Sequence, residues 1–122
     1  MSAEQQRVGP AKNKVFGLIN TGVGLLLVAL AIPLVMAKVS PNGWYGFRTA
    51  KTLANAEVWY SANKQAGYGL ILGGLVAIIS GAILVSKREQ LSRNKSGAIQ
   101  MAGLFGGLLV VVVYAFITYQ RL

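Results

Sequence analysis

Three stretches of this chain carry no charged side chain: Val15 to Ala37, Gln65 to Ser86 and Ser96 to Gln120. Each is long enough, as a helix, to cross a hydrocarbon core of roughly 30 Å. A water-soluble bundle would place polar residues at every third or fourth position of a helix, whereas segments such as LILGGLVAIISGAILV are apolar on all sides. The fold class this implies is an all-α membrane protein with three transmembrane helices, at about 15–37, 66–86 and 98–119, plus an interfacial connector helix between the first and second. A basic start followed by an apolar run and Val35-Met36-Ala37 also fits a cleavable signal sequence, but the run is longer than such a segment needs and two more follow. Residues 1–14 read as a disordered polar tail, with Gly9 and Pro10 arguing against a helix there, and 15–122 as a single membrane domain.

Charge and composition narrow the chemistry further. Twelve Lys and Arg against three Asp and Glu give a net charge of +9 over 122 residues. In a soluble protein that excess would point to nucleic acid. Here the cations lie outside the apolar windows, where they meet headgroups and set orientation, so no nucleic-acid partner is expected. The chain has neither Cys nor His. Thiol chemistry, disulfide scaffolding and imidazole catalysis are therefore excluded. No metal, nucleotide or cofactor motif is present.

The specific chemistry is concentrated in Pro41 to Gly67, between the first two apolar windows. Pro33, one turn before the end of the first window, would kink that turn or re-aim the chain as it leaves the bilayer. Ser40-Pro41-Asn42-Gly43 is a turn signal, and Trp44 and Tyr45 follow at the level of an interfacial aromatic belt. A connector helix is expected over about 49–63, capped by Thr49 or Thr52. At 100° per residue it would align Arg48, Thr52, Asn55, Trp59 and Asn63 on one face as a polar docking strip, bordered by Tyr45 and Trp44. Arg48 could take a carboxylate or phosphate through its planar fork, or form a structural ion pair with Glu57. Asn55 and Asn63 could line the outer mouth of the bundle or bond helix to helix.

Small residues recur in the second and third windows. Gly69 with Gly73, and Gly103 with Gly107, form G-x-x-x-G pairs that let backbones approach closely in lipid. They serve packing within one molecule or a homodimer seam. Counting Lys and Arg, the tail and the 87–95 loop carry seven and the connector and C-terminal end five, which favours the N-terminus inside and the C-terminus outside.

The connector pattern P-N-x-x-Y-G-F-R-T-x-x-T-L-x-N-x-x-x-W-Y-x-A-N-x-x-x-G, preceded by Ile32-Pro33, resembles the signature of the SdpI family of small bacterial membrane proteins. The likeness runs from about Ile32 to Gly81. It implies a non-enzymatic, multi-pass protein of the bacterial cytoplasmic membrane that confers immunity to, or senses, a secreted antimicrobial peptide. It also implies a possible peptide-toxin partner, with Arg48, Thr52, Asn55, Trp59, Asn63, Tyr45 and Trp44 as candidate ligand-binding residues, membrane lipid as the surroundings and no cofactor. The best-known family member also holds a repressor at the membrane. Two other classes stay open on the residues: a membrane enzyme or transporter acting on a lipid through Arg48 and Glu57, or a structural subunit held by its glycine faces.

Overall fold

The computed structural model describes the backbone of residues 3–122 and side chains from Gly9 onward. Four helices follow one another: α1 (Ala3–Val35), α2 (Ala50–Ala54), α3 (Ala56–Ser86) and α4 (Arg93–Gln120). Three contain stretches long and apolar enough to span a membrane, Gly9–Val35, Ala56–Ser86 and Arg93–Gln120. This is the all-helical, three-span architecture expected, with a short helix between the first and second spans.

Two boundaries differ from the sequence reading. The backbone is helical from Ala3, so Gly9 and Pro10 lie inside α1 rather than in a tail. Proline removes one donor from the ladder, and near a wet helix end water can satisfy the carbonyl it frees. The expected connector helix over 49–63 is split at Asn55, and its second half is the outer part of α3. At 1.5 Å per residue α3 is about 46 Å long, so about 16 Å of it projects beyond a 30 Å hydrocarbon layer if it stands upright.

α3 is the central post. α1 and α4 pack against it and only lightly against each other. Glycines set both seams. A Cβ on Gly74 would stand 2.7 Å from the Gly24 carbonyl oxygen, and one on Gly73 would stand 2.5 Å from that of Gly107. Lipid tails are as apolar as leucine, so helices in hydrocarbon associate through such close backbone contact rather than through the hydrophobic effect. These glycine faces are thus packed within the chain, whereas Gly22 meets nothing within 4 Å.

Buried amides pin the helices at two levels. Asn20 of α1 donates to Ser80 Oγ of α3 at 2.9 Å and to the Gln100 carbonyl of α4 at 3.1 Å, so one side chain ties all three spans. Ser80 in turn donates to the Ala77 carbonyl at 2.7 Å. One turn or two nearer the N-terminal end, Asn13 donates to the Arg88 and Leu91 carbonyls at 2.8 and 3.2 Å and closes the α3–α4 turn onto α1. In a bilayer such side-chain bonds between spans contribute about 0.6–2 kcal/mol each.

α1 ends in a Schellman motif. Lys38 N–H donates to the Pro33 carbonyl at 2.9 Å and Ala37 N–H to that of Leu34 at 3.2 Å, with Ala37 at φ 57°. Pro33 therefore does not end α1 by itself; it supplies the carbonyl that the exit turn needs.

Three substitutions test these points. Ala37→Gly should stabilise the protein by roughly 0.5–1 kcal/mol, because alanine is strained at positive φ, and thermal unfolding in mild detergent reads the gain. Gly22→Ala should stabilise by up to about 1 kcal/mol through helix propensity, while Gly74→Ala should lower the melting temperature. Equal responses at the two glycines would mean that the α1–α3 seam is looser than described.

Candidate functional site

The connector between α1 and α3 has little regular structure, yet most of its polar groups are accounted for. Asn42 begins it: its Oδ1 accepts from the Trp44 and Tyr45 N–H groups at 3.0 and 2.7 Å, and its amide donates to the Ser40 carbonyl at 2.9 Å. This is an Asx turn, in which a side chain stands in for a backbone bond. It holds Trp44 outward, 82% exposed, with its ring centroid 6.2 Å from that of Tyr45. The Tyr45 hydroxyl reaches back and donates to the Leu30 carbonyl of α1. Desolvation on burial raises the pKa of this hydroxyl above the ordinary tyrosine value, which favours the neutral donor form.

Gly46 then takes φ +112°, a conformation that favours glycine, and lies against α3. A Cβ there would come within 2.6 Å of Asn63 Oδ1 and 3.2 Å of the Trp59 ring. That approach delivers Phe47 to Asn63. Phe47 N–H donates to Asn63 Oδ1 at 2.6 Å, while the Asn63 amide donates to the Phe47 carbonyl at 3.3 Å and to that of Trp59 at 2.9 Å. One buried side chain thus reads both backbone groups of Phe47. Four residues earlier on α3, the fully buried Trp59 donates from Nε1 to the Val39 carbonyl at 2.8 Å. Trp59 and Asn63 therefore clasp the connector at two points, and each satisfies a backbone group that no helix or strand serves.

α2 is set by reciprocal threonine caps. Thr49 N–H donates to Thr52 Oγ1 at 2.7 Å and Thr52 N–H to Thr49 Oγ1 at 3.1 Å. The buried Thr52 hydroxyl also lies 3.2 Å from the Phe47 carbonyl. Asn55, at φ −145° and ψ 121°, ends α2 and caps α3, its Oδ1 accepting from Val58 N–H at 3.1 Å. Glu57 follows in the first turn of α3, where the helix dipole favours an acid.

These positions correct the expected docking strip. A continuous helix would have kept Arg48, Thr52, Asn55, Trp59 and Asn63 in phase, but the extended residue at Asn55 resets the phase. Thr52, Trp59 and Asn63 are buried and engaged with the connector itself, Asn55 caps a helix, and Arg48 lies exposed. Arg48 and Glu57 are both exposed and no ion pair joins them. The surface left for a ligand is Trp44, the edge of Tyr45, Arg48 and the outer side of α2, where Lys51 and Leu53 are exposed. Sequence reasoning missed Gly46, whose place after Trp44-Tyr45 was the available signal, and the Val39 and Phe47 backbone groups, for which side-chain patterns give none.

Comparison with known proteins covers this same segment. The model of the SdpI/YfhL protein family matches residues 38–119. The uncharacterized protein YfhL of Bacillus subtilis (strain 168) is 32% identical over 65 residues, which are 53% of this chain and 59% of that protein. The aligned region thus spans under two thirds of that relative. No solved structure matches the chain. With the family pattern running from the Schellman exit of α1 to the last turns of α4, the chain belongs to the SdpI/YfhL protein family.

Proposed function

We propose that this protein is a non-enzymatic immunity or sensing factor of the bacterial cytoplasmic membrane, acting against a secreted antimicrobial peptide through its connector. The observation that carries this reading is the clasp. A family-matched segment is held by buried Trp59 and Asn63 so that Trp44 and Arg48 stand outward on a fixed frame. Pre-ordering of this kind lowers the entropy cost of recognition. In this reading Trp44 supplies apolar contact area, Arg48 takes a carboxylate or a backbone carbonyl of the peptide, and Thr52, Trp59 and Asn63 are positioning residues. The seven-to-five distribution of Lys and Arg favours the N-terminus inside, which would put the connector outside, where a secreted peptide arrives.

Expression in a peptide-sensitive strain tests the proposal. The protein should raise tolerance, and Arg48→Ala should remove roughly ten- to hundredfold of that gain at unchanged abundance, as loss of a charge-assisted hydrogen bond predicts. Trp59→Ala should act differently, by lowering protein level and thermal stability, since truncating a buried Trp costs about 3–5 kcal/mol. Glu57→Gln should leave tolerance intact. Loss of protection with Glu57→Gln at normal abundance would instead favour chemistry on a lipid, and wild-type-like tolerance of Arg48→Ala would remove the peptide-binding role assigned to the connector surface.

A further inference from the structure

We infer that the opposite end of the bundle, made by the start of α1, the α3–α4 turn and the first turn of α4, is a binding surface for anionic phospholipid headgroups. The buried Asn13 draws this end together. Its bonds to the Arg88 and Leu91 carbonyls bring the turn against α1, so that Lys12 and Lys14, which flank Asn13, share a rim with Lys87, Arg93 and Lys95. All five cations are exposed, and among the residues of this rim whose side chains are described, from Gly9 onward, the one acid is Glu89. Arg88 is used otherwise: its guanidinium turns back to the Val85 carbonyl at 2.8 Å at the end of α3.

The charge at this rim runs against local stability. The first turn of α4 carries Arg93 and Lys95 and no acid. A helix N-terminus already bears about half a positive charge, so cations there are locally unfavourable unless an outside anion offsets them. At the connector end, by contrast, Lys51 donates to the Leu122 carbonyl at 3.1 Å and Arg121 to Gln65 Oε1 at 3.2 Å. The rim also lies at one end of the three helices long and apolar enough to span a membrane, so spanning would bring it toward the lipid phosphates, where each Lys or Arg near an anionic leaflet contributes about 1 kcal/mol. Headgroup phosphate is the anion constantly present at that level.

The test is lipid retention by the full chain, purified in mild detergent from vesicles of equal phosphatidylglycerol and phosphatidylcholine, with bound lipid counted by native mass spectrometry. Wild type should retain phosphatidylglycerol in excess. The variant Lys87→Gln/Arg93→Gln/Lys95→Gln should lower that excess about tenfold or more, while Lys38→Gln/Lys64→Gln at the other end should leave it unchanged. If the triple variant loses helical content, Lys12→Gln/Lys14→Gln provides the second measurement, with a smaller fall expected. Molar salt should weaken retention in the wild type. Equal retention of the two lipids, or an undiminished excess in both rim variants, would overturn the inference. So would displacement by millimolar inorganic phosphate, which would identify a free-anion site, or preferential capture of polyglutamate, which would identify an acidic protein surface as the occupant.

Discussion

A helix in hydrocarbon gains nothing by hiding leucine from lipid, so a three-span protein of this size must find cohesion elsewhere. It finds it in backbone contact along α3. Gly24 and Gly74 meet on one side, Gly73 and Gly107 on the other, and each pair brings main chains to a separation that a methyl group would prevent. Asn20, bonded to both neighbours, fixes the vertical register of the spans. The connector depends on this arrangement, because the residues that clasp it stand on the same α3 that both seams grip.

The clasp shows how a polar motif inside a membrane protein can serve the chain before it serves a ligand. An irregular connector must place its backbone donors and acceptors without a regular ladder. Trp59, Asn63, Thr52 and Asn42 do this for Val39, Phe47, Trp44 and Tyr45. The side chains left outward are chiefly Trp44 and Arg48, the two to which the proposed function assigns the ligand. A family pattern rich in Asn, Trp and Thr is accordingly a record of how the frame is built as much as of what it binds.

The spans were legible because a bilayer permits few alternatives to an uncharged run of that length. The G-x-x-x-G pairs of α3 and α4 were legible for the same reason. Asn55 was not. Asparagine fits a helix interior in a wheel projection as readily as it fits an N-cap, and the pattern did not say which; in the structure its side chain accepts from Val58 N–H and caps α3, which divides the connector. Nor did the sequence announce Asn13 and Asn20 as ties, since a single amide at the edge of an apolar window gives no hint of which carbonyls it will meet. Gly9 and Pro10 misled in the other direction: both disfavour a helix, and the helix continues through them.

The unbroken run of α3 from Ala56 to Ser86 carries one mechanical consequence. The clasp, both seams and the Ser80 layer all stand on one continuous helix. A rotation of α3 at the Trp59 level would bear on the Gly74–Gly24 and Gly73–Gly107 contacts together, because both are made by that helix. The connector and both helix seams therefore share a single support, and neither can be re-aimed without moving the helix that holds the other.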